Sequence, residues 1–257
     1  MSFNLRRVLN VLAVIVTIAM NSLANIIPFN GQNTGAISDR FQVFFVPAGY
    51  VFSIWGVIYL GLLAFAVYQA LPAQRDNKTL AAITPLFLIS CAANVVWLLL
   101  WHYNQFPLTL LFMIVLLACL IGIYVRLDIG RGPVTPAVKW MLNLPFSIYL
   151  GWITVATIAN VTDVLDFLKW NGFGIGGQTW AVIMLGVALV VAGLMAWNRG
   201  DVAYLLVLVW AFAGIGVKQA PVALVSTSAY IAAAVAAVFA AGGWALRRRS
   251  GPTLKAR

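Results

Sequence analysis

The sequence predicts an all-α integral membrane protein of eight spans, and three observations carry that reading. Of 257 residues, 63% are hydrophobic and 9% charged, where an ordinary soluble domain has about 25% charged residues. The 16 Lys and Arg and 6 acidic side chains cannot cover a water-facing surface, so most of the exterior must face lipid. Apolar runs of roughly 17–25 residues, each long enough to cross a ~30 Å hydrocarbon core as a helix, recur eight times. The cations also sort by side, thirteen at one end of the spans and three at the other.

The first span, 8–28, follows Arg6 and Arg7. That pair, the apolar run and Ser22-Leu23-Ala24 also resemble a cleavable signal peptide, whose removal would leave seven spans and the same charge bias. A long polar loop, Phe29 to Gly49, leads through Pro47 into the second span, 50–70. Pro72 closes it, the third span covers 79–101, and Pro107 opens the fourth at 106–127. Pro133 and Pro136 precede the fifth, 139–160; a loop over 161–176 with a Gly172–Gly177 stretch separates it from the sixth, 177–197. The seventh and eighth, 201–218 and 221–246, are divided by Pro221. Breakers thus stand where helices must end.

Arg6, Arg7, Arg75, Lys78, Arg126, Arg131, Lys139, Arg199 and the tail cations Arg247, Arg248, Arg249, Lys255 and Arg257 share one side, against Arg40, Lys169 and Lys218 on the other. By the positive-inside bias both termini are cytoplasmic. The net charge of +10 is therefore read as topology, with no nucleic-acid partner expected.

The spans are poor in chemistry. Asp39, Asp76, Asp128, Asp163, Asp166 and Asp201 are the whole acidic set, and all fall in loops or at span ends, so no carboxylate is expected in the membrane interior. Ion-coupled carriers generally keep an ionisable group there, which argues against proton coupling. His102, the only histidine, is expected as an interfacial side chain, and Lys218 at a span end as a snorkelling one. No catalytic residue and no metal site is expected: general acid–base work needs a positioned ionisable group, and no His/Cys/Glu spacing fits a metal. Cys91 and Cys119 sit mid-span, where cysteine packs as a small hydrophobe.

Aromatic residues carry more information. Trp101, Trp140, Trp180, Trp197 and Trp244 lie at span ends, as in an aromatic belt. Trp55, Trp97, Trp152 and Trp210 lie within spans. Phe52, Trp55 and Tyr59 share one face of the second span; Asn94, Trp97 and Trp101 share one of the third; Tyr149, Trp152, Ala156 and Asn160 share one of the fifth. At ~1.5 Å per residue, Trp55, Asn94, Trp97 and Trp152 lie at one level, within ~6–12 Å of the span ends. If the stripes meet, they line an apolar cavity with an amide or phenol to orient a ligand; if not, they are packing.

Three motifs carry a resemblance. Pro47-Ala48-Gly49-Tyr50-Val51-Phe52-Ser53-Ile54-Trp55-Gly56-Val57-Ile58-Tyr59 resembles the Pro-containing lead-in and W-x-x-[LI]-Y second helix of the TspO/translocator protein family, the tryptophan-rich sensory proteins. Asn94-Val95-Val96-Trp97 is similar to its L-N-x-x-W third helix, and Tyr149-Leu150-Gly151-Trp152 through Ala156-Thr157 to Asn160 to its Y-L-x-W-x-x-x-A-T-x-x-N fifth helix. The resemblance covers residues 1 to about 162. It implies a five-helix core with a pocket for hydrophobic ligands such as porphyrin, haem or sterols, in which Trp55, Asn94, Trp97, Tyr149 and Trp152 take part. The chain departs from the family at Ala48, at Ile148 in place of a usual proline, and in its first loop. The short members also lack three helices after residue 177.

The expected organisation is a core over 1–162, a linker over 163–176, a three-helix extension over 177–246 and a basic tail over 247–257, in what the resemblance implies is a bacterial plasma membrane. The ligand-binding set expected is Phe52, Trp55, Tyr59, Asn94, Trp97, Tyr149 and Trp152, with no cofactor. The function expected is binding or sensing of flat hydrophobic molecules, tetrapyrroles first, with uncoupled transport or porphyrin degradation as alternatives. Ala229, Ala233, Ala237 and Ala241, beside Ala232, Ala236 and Ala240, suit close helix contact, either within the chain or in a homodimer.

Overall fold

The computed structural model describes residues 2–249, so the end of the tail, 250–257, lies outside the described residues. Eight long helices run through them: α1 (Phe3–Ile26), α2 (Ile54–Ala70), α3 (Lys78–His102), α4 (Phe106–Arg126), α5 (Leu144–Phe167), α6 (Gly177–Arg199), α7 (Val202–Lys218) and α8 (Ala223–Arg249). All but α7 are long and apolar enough to cross a membrane, α2 being lengthened by the 3-10 turn Gly49–Ser53 and α5 by the segment from Pro136. At 17 residues, α7 is ~26 Å long by the α-helical rise, a little short of the ~30 Å core.

Local chemistry sets the ends. The Asn77 side chain accepts from Leu80 N at the start of α3, and Asp201 Oδ1 accepts from Ala203 N and Tyr204 N at the start of α7. Both occupy donors that a helix start leaves unpaired. Gly200 ends α6 in the left-handed conformation, which glycine adopts without a Cβ penalty. Before α5, Lys139–Asn143 forms a π-turn, a wider coil that leads into Pro145, whose ring nitrogen cannot donate to a helical ladder.

Five helices close into a ring: α1 packs on α2 and α3, α3 on α4, α4 on α5, and α5 back on α2. The other three attach through α7, which packs on α5 and on α8, while α8 covers α6. Gly151 makes this docking close, since a Cβ there would lie 3.1 Å from Tyr204 O and from Val207 Cβ. At the opposite end from the long loop, buried Asp201 ties α4, α5 and α7 together by accepting from Tyr124 Oη at 2.8 Å and Ser147 Oγ at 2.5 Å.

Several sequence expectations are corrected here. Helix α5 runs on to Phe167, so Asp163 is a helical residue, and it is 4% exposed. Asp201, at the start of α7 as expected of a span end, is buried among side chains. His102 is fully buried beneath the first loop, with Nδ1 2.8 Å from Leu98 O and the Phe29 ring edge-on to it. Lys218 does not snorkel but pairs with Asp39 at 2.6 Å. Trp101 is buried against Trp97 and Phe106, whereas Trp140, Trp197 and Trp244 are exposed as a belt requires. On α8 the buried alanines are Ala229, Ala232, Ala233, Ala236 and Ala240, with Ala237 and Ala241 exposed. A spacing of four drifts by ~40° per step on a 3.6-residue helix, so a straight contact mixes threes and fours. That face packs within the chain, against α6 and α7.

Candidate ligand-binding site

A cavity of about 60 Å³ lies where α2, α3 and α5 converge under the first loop. Its deep end is aromatic. The Phe52 ring stands edge-on to Trp152 at 5.6 Å, and Trp55 edge-on to Trp152 at 6.2 Å. From α3, Trp97 stacks on Trp101 at 5.4 Å with 17° between planes. Edge-to-face and offset pairs of this kind hold rings in place beyond what area burial alone gives. The wall then follows α5 from Trp152 through Ala156 and Asn160 to Asp163, eleven residues or ~16 Å of helix.

Next to it, sharing Thr34, Phe52, Trp55 and Trp97 as a partition, is a vestibule of about 480 Å³. Its other wall is polar, built from Asn21, Ser22 and Asn25 of α1 and Asn33 of the loop. The inner chamber holds a few waters at most. A ring system reaches it only if the partition turns aside.

The polar groups are organised in two chains. Asn21 Nδ2 donates to Asn94 Oδ1 at 2.7 Å, and Asn94 Nδ2 donates to Tyr149 Oη at 3.1 Å, linking α1, α3 and α5. Trp97 Nε1 donates to Asn160 Oδ1 at 3.3 Å, and Asn160 Nδ2 to Thr109 Oγ1 at 2.9 Å. Two buried atoms of lining residues have no partner, Trp152 Nε1 and Asp163 Oδ1. Most buried polar atoms in folded proteins are paired, and these two are exceptions on the cavity wall.

The first loop makes the roof. Within it a short helix, Thr34–Ser38, is capped by Asn33 and sends Thr34 and Ser38 to the cavity. Trp101 Nε1 donates to Thr34 O at 3.2 Å, which anchors this helix to α3. The following strap, 46–53, is held by α7: Ala48 N donates to Gly214 O, Trp210 Nε1 to Val51 O, and Gln219 Nε2 to Phe44 O just before it.

With this geometry in hand, the family can be assigned: the model of the family described as TSPO-like protein matches residues 7–242. The chain belongs to the TSPO-like family. No curated protein and no solved structure matches it. The match runs past residue 162 and through α6, α7 and most of α8, so the last three helices fall within the family model rather than outside it. Membership, with the apolar helices, makes this an integral membrane protein of a family whose members bind ligands and sense them.

In this TSPO-like chain, five of the seven residues chosen from sequence line the inner cavity: Phe52, Trp55, Asn94, Trp97 and Trp152. Tyr59 faces the vestibule instead, stacked on Trp55 at 5.6 Å. Tyr149 lies behind the wall, bonded to Asn94 and edge-on to Trp55. Trp101 and Asn160, which stand on the stripes but outside the chosen set, also line it, as do Thr34, Ser38, Val46, Pro47 and Asp163, which the stripes do not include. For Asp163 a signal existed. Positions 152, 156, 160 and 163 share a helical face, and extending the fifth span by one turn brings Asp163 to that face.

Proposed function

We propose that this TSPO-like chain takes flat hydrophobic ligands, tetrapyrroles first, into the cavity among α2, α3 and α5, and works as a binding or sensory protein. One observation carries the reading: the rings of Phe52, Trp55 and Trp97 separate a polar vestibule from an aromatic chamber in which the buried Trp152 Nε1 has no partner. A flat ring system displaces the partition, stacks between indoles and accepts from that N–H, and the amide chain through Asn94 fixes the wall behind it. Residues 1–162 form the binding core, and 177–246 support it through α7. The protein sits in a bacterial plasma membrane with both termini cytoplasmic.

The test uses purified protein and a fluorescent porphyrin. Trp152→Ala and Trp55→Ala are expected to weaken saturable quenching, while replacing Trp197, 82% exposed, leaves it unchanged. Equal affinity in all three variants overturns the assignment. In sealed liposomes with porphyrin added on one side, binding alone predicts that none accumulates inside. Time-dependent accumulation that stops when the pocket is blocked establishes a carrier in its place.

A further inference from the structure

The far end of the cavity is not hydrophobic. Asp163 lines it from the last turns of α5, 4% exposed, with Oδ1 unpartnered. A carboxyl group withdrawn from water is costly unless a counter-charge or hydrogen bonds replace the solvent. Among the described residues Oδ1 has no hydrogen-bond partner. Among the described residues no cation lies within ion-pair distance of it, and the basic side chains at this end are committed elsewhere or exposed. Lys218 pairs with Asp39 at 2.6 Å, Arg40 donates to Asn104 Oδ1 at 2.5 Å, and Lys169 is exposed in the turn after α5. The other nearby acid, Asp166, accepts from Gln42 N on the outside of the roof.

The surroundings fit a ligand head rather than a structural pair. Asn160, one turn earlier on α5, lines the cavity beside it, and Thr34 and Ser38 of the roof line the same cavity, so a polar head there has an amide and hydroxyl groups to meet as well as the carboxyl. The opposite end, around Trp152, presents ring faces and an indole N–H. The two ends are ~16 Å apart along α5. The cavity therefore has an aromatic end and an end that carries an unpartnered carboxyl group.

We infer that Asp163 is a ligand-binding residue that selects, among flat hydrophobic molecules, those bearing a protonated amine or other cationic nitrogen, and disfavours those bearing a carboxylate. This rests on the pocket reading above and narrows it. The ring body goes to the indoles, the cationic head supplies the counter-charge that Asp163 lacks, and an acidic side chain at that end finds no cation in a poorly hydrated site.

Three acridines of one shape test the assignment on the full-length protein in detergent: cationic 9-aminoacridine, neutral acridine and anionic acridine-9-carboxylate, each titrated by tryptophan quenching. The wild type is expected to prefer the cation over the carboxylate by about tenfold or more, since a hydrogen bond to a charged group contributes on the order of one tenfold step or two. Asp163→Asn, which keeps the shape, should erase that preference while leaving neutral acridine bound as before, and Asp163→Glu should keep part of it. Equal affinities in the wild type, or a preference retained in Asp163→Asn, overturns the role of Asp163 and leaves the pocket standing. Loss of neutral acridine in both variants makes Asp163 a structural residue and also overturns it. If none of the three probes competes with porphyrin in the wild type, the pocket itself is misassigned.

Discussion

Gly214 of α7 lies so close to Val51 of the strap that a Cβ on the glycine would overlap Val51 Cγ2 and sit 3.2 Å from Pro47 Cβ. The strap in turn carries Phe52, whose ring is set edge-on to Trp152 in the cavity wall. Through this contact, a helix that touches no part of the cavity positions one of its walls.

Gly214→Ala is therefore expected to push the strap toward the cavity. Overpacking of this kind costs typically about 1–3 kcal/mol. The thermal midpoint in detergent should fall, and porphyrin affinity with it, although Gly214 lines neither chamber. An unchanged affinity alongside a lowered midpoint would show that the strap yields without moving Phe52.

Asn94 is expected to matter more than either of its partners. Replacing it by Leu removes two interhelical bonds, leaving Asn21 Nδ2 with Thr17 O alone and Tyr149 Oη without its amide partner, whereas Tyr149→Phe removes one bond only. Interhelical hydrogen bonds in membranes average about 0.6 kcal/mol, with a maximum near ~1.7. Denaturation in mixed micelles should give Asn94→Leu the larger loss, and a double-mutant cycle with Asn21→Ala a coupling inside that range.

Much of this was legible in the sequence because it depends on period and order. The helix count follows from apolar run length, and Trp55, Trp97 and Trp152 point to helix faces that meet because each carries companions three or four residues away. What was not legible depends on contacts between distant segments. The roof is fastened by Lys218 to Asp39 and Gln219 to Phe44, across 179 and 175 residues, and nothing in the loop's own polar composition announces those ties. His102 illustrates the cost: a lone histidine at a span end reads as interfacial unless one knows that Phe29, Asn30 and Thr34 fold over it. Asp163 reads from sequence as a loop residue because Asn160-Val161-Thr162-Asp163 is polar enough to imitate a helix end, although the helix continues one more turn.

Asp201 offers a graded test of how the last three helices are joined to the ring. Asp201→Ala removes the cap of α7 and the acceptor for Tyr124 and Ser147 together. A lost cap costs about 0.5–2 kcal/mol and each lost buried bond roughly another 1. Asp201→Asn keeps a capping oxygen, so its thermal midpoint should fall between those of the alanine variant and the wild type.

The proposed orientation, with both termini cytoplasmic, rests on thirteen cations against three. A reporter fused after Arg257 is expected to be active only when it functions in the cytoplasm, and cysteines placed in the turn at 169–171 should react with impermeant reagents added outside whole cells. Labelling confined to the opposite loops would reverse the assignment.

The buried amides of α1 bear on how the chain enters the bilayer. Asn10 donates to Gln69 and Thr84, which follow it by 59 and 74 residues, and Asn21 donates to Asn94, 73 residues on. During synthesis α1 therefore leaves the ribosome well before any of its hydrogen-bonding partners exists. Helix α1 is apolar enough to cross a membrane, but the polar groups of Arg6, Asn10, Thr17 and Asn21 on its one face gain their interhelical partners only once α2 and α3 arrive. The expected consequence is that the first three helices settle in the bilayer as a group.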